Sequence, residues 1–274
     1  MNLFWGALVT AAVAAVAVAA MLFVRRRAPD GSFFNDGDRA SGVFGVLATG
    51  FSVLLGFIIF LAFTSYDASR AGAEAEALTL AQQIETAQFF PEAVAAELTG
   101  ELVCYARSVI HDEWPRLEEG TQGEAINPWG AEMFRTLETV EPTTASEENA
   151  YSKWLDQTSD REAARNDRIH GAVGVIPSPL WVVLFFISAV IFVYMLFFAD
   201  SGERAIVQAL LMGAVVSVIV AMLLLLRFLD NPFHTSVGGL RPVAMERTLR
   251  IVDQELRVAN RNEPPPCDAN GRAL

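Results

Sequence analysis

The chain is poor in the residues that most often carry chemistry. Its 274 residues include two cysteines and three histidines (His111, His170 and His234), too few and too scattered for a dense metal site. The cysteines, Cys104 and Cys267, lie far apart, which excludes a disulfide framework and leaves a CxxC-type zinc site without ligands. Basic residues are also short: 20 Lys and Arg stand against 32 Asp and Glu, a net charge of -12. That balance argues against a nucleic-acid partner, which needs a concentrated positive footprint. There is no Gly-rich phosphate loop, and no Ser-His-Asp or paired-carboxylate arrangement can be defended from spacing. The sequence therefore predicts no catalytic residue, no cofactor and no enzyme. Alternating strand patterns and internal repeats are absent as well.

What is present is grease and acid. Apolar residues make up 53% of the chain and charged residues 19%, with a mean hydropathy of +0.34. A single soluble domain does not combine that hydropathy with that charge, so two unlike parts are expected. Four segments carry no charge and reach the roughly 20 apolar residues that cross a hydrocarbon core: Leu3 to Val24, Val43 to Phe63, Leu180 to Ala199, and Ala205 to Leu226. Trp5, Trp181 and Tyr194 fall towards span ends, where amphipathic rings prefer to sit. The first run lacks a basic leader and is followed by Arg25, Arg26 and Arg27, which marks a retained anchor rather than a signal peptide.

Residues 65–177 hold 21 of the acidic side chains and eight of the basic ones, and account for the whole acidity. They read as helix. The second span is expected to continue out of the membrane to about Phe89, with Asp67, Arg70 and Glu74 able to pair along one face. Pro91 opens a second helix whose Val94, Leu98, Leu102, Tyr105 and Val109 form a core-facing stripe. Asn127-Pro128 opens a third, with Met133, Phe134 and Leu137. Thr144-Ala-Ser-Glu147 is a capping box that starts a fourth, anchored by Tyr151, Trp154 and Leu155. After the fourth span, Asp230-Asn-Pro-Phe233 signals a turn. A tail helix from about Pro242 to Ala259 follows, with Met245, Leu249, Val252, Leu256 and Ala259 on one face that must pack on the acidic domain or on a neighbouring subunit. Pro264-Pro-Pro266 and the residues beyond it read as disordered.

Charge-free spans disfavour pumps and secondary transporters, which place ionisable groups at membrane depth. A passive pore remains, lined by small, hydroxyl and apolar side chains. Gly45, Thr49, Ser52 and Gly56 recur on one face of the second span beside Val53, Phe57 and Phe60. Such a stripe suits either a pore or close helix–helix packing. His111-Asp-Glu-Trp114 does not converge on one face of a helix, so Asp112 reads as a partner for Arg116 and Trp114 as a core anchor. Cys104, beside the apolar stripe, reads as a small buried hydrophobe.

The run Val53-Leu-Leu-Gly-Phe-Ile-Ile-Phe-Leu-Ala-Phe-Thr-Ser-Tyr-Asp67, continuing to Arg70, resembles the pore helix of bestrophin anion channels and their bacterial relatives. The turn Asp230, Asn231, Pro232, Phe233 resembles the bestrophin Asn-Pro-Phe turn, and Glu113-Trp114 also sits in a similar place. The overall match is to the bestrophin-like group of bacterial four-span proteins. The resemblance implies a homopentamer, with the second spans around a central axis and Val53, Phe57 and Phe60 at an apolar neck. It implies a cytoplasmic helical domain and cytoplasmic termini, and that orientation is the expectation here, although Arg25, Arg26, Arg27 and Arg39 point the other way. His234-Thr-Ser-Val-Gly-Gly239 follows the turn where calcium-sensing bestrophins carry an acidic run, so calcium gating is not implied. Ala68 and Ser69 replace the aromatic residues that follow the Tyr-Asp in bacterial bestrophins.

The expected fold is an all-α membrane protein with four transmembrane helices and a helical soluble insert between spans two and three. Residues 1–64 carry spans one and two, 65–177 the acidic domain, 178–229 the hairpin of spans three and four, and 230–274 the turn, the tail helix and a disordered end. The expected protein is an oligomeric ion channel of a bacterial inner membrane, its partners the lipid bilayer and its own copies. The alternative is a non-conducting membrane scaffold whose acidic helical domain binds a protein partner.

Overall fold

A computed structural model describes residues 3–121, 127–258 and 264–274. Nine α-helices are present among them: α1 Leu3–Arg25, α2 Gly37–Ala87, α3 Glu92–Ser108, α4 Trp114–Glu118, α5 Pro128–Glu138, α6 Ala145–His170, α7 Ser178–Phe197, α8 Ala205–Leu229 and α9 Val243–Val258. A π-helical turn, Val109–Glu113, joins α3 to α4. The only extended pairing among the described residues is a bridge between Cys267 and Ala273. The fold is all-α. Helices α1, α2, α7 and α8 are long and apolar enough to cross a membrane, and the chain is an integral membrane protein.

The residues form two compact units: 1–64 with 174–230, and 65–173 with 231–274. In the first, α1 packs on α8. Ala17, Met21, Met212 and Val216 are buried together, and a Cβ on Gly213 would already touch Val18 at 3.4 Å. The loops after α1 and α7 are knitted together. Arg25 donates to the carbonyls of Ser201 and Glu203, while Asp200 Oδ1 accepts from the backbone of Gly31 and Gly202. Phe33, Phe34, Phe44, Tyr194, Phe197 and Phe198 gather beside them in ring contacts. At the other ends of α7 and α8, Asp230 Oδ1 accepts from Val175 N at 2.8 Å and Ile176 N at 3.0 Å, fixing the approach to α7.

The second unit is built on the amphipathic stripes of its helices. Leu98, Leu102, Tyr105 and Val109 are all buried, as their spacing requires. Asn127 caps α5 by accepting from Trp129 N, and Thr144 caps α6 by accepting from Glu147 N. The Glu147 carboxylate reaches back to accept from Thr143 N and Oγ1. Met133, Leu137 and Trp154 are buried, whereas Phe134 and Leu155 are exposed. On α9, Met245 and Val252 are buried, with Leu249 and Leu256 packed beside them on this unit's own core. That face therefore belongs to the chain itself; Ala259 lies outside the described residues.

Two expectations are overturned. Residues 264–274 are not a disordered end. Cys267 pairs with Ala273, Leu274 N donates to Pro266 O, and Trp129 Nε1 donates to Gly271 O at 2.7 Å. Gly271 sits at φ +81 against the backbone of Ser108 and Cys104, where a Cβ would collide. The cysteines, although far apart in sequence, form a disulfide across 163 residues with a Cα–Cα distance of 5.8 Å. Tertiary contacts return the tail to α3, which composition alone does not announce.

Candidate functional site on the second membrane helix

Helix α2 runs for 51 residues, about 77 Å at 1.5 Å per residue, against roughly 30 Å of hydrocarbon. Within its apolar stretch the two faces differ. Phe51, Leu55, Ile58 and Ala62, spaced four, three and four apart, are buried. Thr49, Ser52, Val53, Gly56, Phe57 and Phe60 all lie on the opposite, exposed side. Val53 is 68% exposed, and Phe57 and Phe60 are each 59% exposed. A Cβ added at Gly45, Gly50 or Gly56 would meet nothing within 4 Å. No described residue of the chain itself approaches this small-residue stripe, so intrachain helix packing does not explain it. Ser52 Oγ donates to the carbonyl of Ala48 at 2.8 Å.

The turn after α8 divides its work. Asp230 holds the backbone before α7, as described above. Leu240 N donates to Pro232 O at 2.8 Å. Phe233 packs edge-on against Trp114, their centroids 5.4 Å apart, and Trp114 Nε1 donates to Leu240 O. Asn231 is half-buried. Phe233 and Pro232 thus serve the second unit's core, with Tyr66 adding a bond of 2.7 Å to Gly238 O.

The second unit also encloses a charged cluster that the sequence did not reveal. Arg168, fully buried on α6, grips both oxygens of Glu76 on α2 and donates to Glu113 at 2.7 Å. Glu113 also accepts from Arg165 and from Asn127. Burial alone would raise the Glu113 carboxyl, but Arg168 and Arg165 outweigh it and hold the group below its ordinary value. Tyr105 donates to Glu76 at 2.6 Å, and burial first, then that carboxylate, pushes its phenol well up. Arg161, seven residues before Arg168, donates to Gln83 at 2.6 Å and lies 4.9 Å over the Tyr105 ring. The signal for this cluster was the heptad spacing Trp154, Arg161, Arg168, masked because two of its members are charged. Asp112 and Arg116 pair at 2.7 Å, and Arg70 and Glu74 at 3.2 Å, on the surface as their spacing suggested. Among the described residues no group of His, Cys, Asp and Glu is arranged to hold a metal ion.

The comparisons agree with this architecture. A point variant of the bacterial Bestrophin homolog from Klebsiella pneumoniae superposes with a TM-score of 0.65 at 11% identity, over 91% of this chain and 98% of that one. The same homolog solved with zinc phasing gives 0.60 at 12% identity, over 96% and 100%. A point variant of a membrane protein gives 0.65 at 11% identity, over 95% and 99%. These likenesses establish a shared fold. No curated protein matches in sequence. The family model for the Bestrophin-like domain matches residues 9–238, most of the chain. The chain belongs to the bestrophin-like family.

Proposed function

We propose that this protein is an oligomeric ion channel of the bacterial plasma membrane, with α2 lining the conduction path. The observation that carries the reading is the exposed face of α2, where small, hydroxyl and bulky apolar residues stand together and no described residue comes within 4 Å of a Cβ at Gly45 or Gly56. Copies arranged around an axis would turn that face inward. Gly45, Thr49, Ser52 and Gly56 would keep the path wide, and Val53, Phe57 and Phe60 would narrow it to an apolar constriction that gates by dewetting. The bestrophin resemblance supports five copies. The spans carry no charge in these segments, which suits passive flow.

Purified protein reconstituted in planar bilayers should conduct, and Phe57→Ala or Phe60→Ala should raise conductance or alter gating while leaving the oligomer's mass unchanged. Silent bilayers under every ion gradient, together with a monomeric or dimeric mass, would remove the channel reading and favour the scaffold.

With four spans, residues 65–173 and 231–274 share one face of the membrane. The bestrophin resemblance supports the cytoplasmic face.

A further inference from the structure

We infer that the first unit binds a phospholipid of net negative headgroup, with the phosphate at Arg26 and Arg27 and one acyl chain in a crevice between α1, α7 and α8. Three observations meet here.

The first is the crevice. Its volume is about 250 Å³, and Val13, Val16 and Ala17 of α1, Ser188 and Ala189 of α7, and Val216 of α8 line it. The hydroxyl of Ser188 already donates to Leu184 O at 2.7 Å, so the walls suit hydrocarbon and leave no polar group unmet. Towards the loop after α1 the three helices close over Met21, Ala199 and Met212, which are buried together. Val13 and Val16 are exposed, so the crevice opens sideways, where the lipid lies.

The second is a track from the crevice to the membrane surface. Val13, Val16, Ala20, Phe23 and Arg27 are spaced three, four, three and four apart, which is one face of a helix. The helical turn continues past the end of α1, since Arg27 N donates to Val24 O. The Arg27 guanidinium folds back over the Phe23 ring, 4.3 Å from its centroid. From Arg27 to Val16 the helix spans about 17 Å at 1.5 Å per residue, close to half of the roughly 30 Å hydrocarbon core. That is the depth an acyl chain of one leaflet reaches. A lipid whose phosphate rests on Arg27 lays its chain along Phe23 and Ala20 and ends it in the crevice.

The third is charge. Arg26 and Arg27 are exposed, and neither has a carboxylate partner among the described residues. Four nearby acids are already engaged. Asp200 accepts from Gly31 N and Gly202 N, Asp30 from the Ser201 hydroxyl, Asp36 from Arg39 N, and Glu203 from Gln208. The two guanidinium groups are thereby left to an outside anion, and a phosphate matches their fork. Each arginine at an anionic lipid surface adds about fivefold in affinity, so the pair favours an anionic headgroup over a zwitterionic one. The assignment does not depend on conduction.

The test uses the full chain, purified in a mild detergent and titrated with phosphatidylglycerol or phosphatidylcholine, with bound lipid counted by native mass spectrometry. One phosphatidylglycerol per subunit should be retained, about tenfold or more tighter than phosphatidylcholine. Arg26→Gln/Arg27→Gln should erase that preference, while Arg39→Gln, the same kind of charge change at the start of α2, should keep it. Ala189→Trp, which fills the crevice from an exposed position, should cut retention of both lipids. Equal retention of the two lipids by the parent overturns the site, as does an equal loss with Arg39→Gln, the mark of diffuse surface charge. An Ala189→Trp chain that keeps its lipid overturns the crevice as the seat of the acyl chain. An oligomer that retains no phospholipid gives the crevice to a neighbouring copy and overturns the site too. If the double arginine variant does not accumulate, the parent's choice between the two lipids and the Ala189→Trp loss still decide it.

Discussion

Arg168 and Glu76 face each other in parallel, guanidinium Nε to Oε2 and Nη2 to Oε1, with neither side chain exposed to solvent. The pair joins α6 to the part of α2 that belongs to the second unit, and Glu113 completes the charge around the same guanidinium. A buried ion pair contributes little beyond a good apolar contact, but removing one member strands the other in a low dielectric. Arg168→Ala strands buried Glu76 without its cation, leaves Glu113 with Arg165 alone, and is expected to cost about 3–5 kcal/mol. Arg168→Lys should recover only part of that, since a single ammonium cannot match the fork. Thermal unfolding of the detergent-solubilised protein reads both, and a lysine variant as stable as the parent would discount the bidentate geometry.

Gly72 lies at a close approach of α2 to α6. A Cβ there would lie 2.6 Å from Arg168 N and 2.7 Å from Ala164 O, both backbone atoms that cannot swing aside. Gly72→Ala should destabilise the second unit by roughly 2–3 kcal/mol through overpacking. Gly120→Ala is not a fair control because that residue has a positive φ. Gly130→Ala is one, with nothing within 4 Å, and its melting temperature should stay near that of the parent.

Glu101 is buried on α3, with Thr136 Oγ1 donating to one oxygen at 2.9 Å. Burial pushes its carboxyl up from 4.5 to about 7, against the weaker opposing effect of Thr136. In the unfolded chain the group ionises near 4.5, so below that pH both states hold the proton and stability is unaffected. Between 4.5 and about 7 the unfolded state has released the proton while the folded state keeps it, and stability falls as pH rises, by up to about 3 kcal/mol. Glu101→Gln should abolish that slope and melt higher than the parent at pH 8. Parallel melting curves from pH 5 to 8 would count against the raised carboxyl.

The Cys104–Cys267 bond closes a sequence separation of 163 residues. A loop of that length restricts the unfolded chain by up to about 5 kcal/mol in the chain-entropy account. Adding a reductant that reaches the bond, or making Cys104→Ser, should lower the melting temperature by similar amounts. The reductant should have no further effect on the serine variant.

Much of this architecture was legible because membranes impose harsh rules. A crossing helix must be long and free of charge, and the four apolar runs have no other use. The stripe of α3 and the caps at Asn127 and Thr144 were equally plain, being local. What escaped reading was long-range. Arg161 and Arg168 look like residues of a solvated face until Glu76, Gln83 and Glu113 arrive from other helices to meet them. Cys267 looks isolated, and the prolines before it look disordered, until Trp129 and Arg107 catch the tail. The six candidate residues of α2 share its exposed side, and their place along a pore is the reading proposed above. Whether that face was free could not be read, since small residues serve a tight contact and an open surface alike.

The hydroxyl of Ser52 is already satisfied within its own helix, one turn back at Ala48. A lone subunit can therefore rest in lipid without presenting an unmet donor from that side chain. Under the proposed channel reading, insertion need not wait for partners, and assembly would be a second, separate event whose extent follows the density of chains in the membrane.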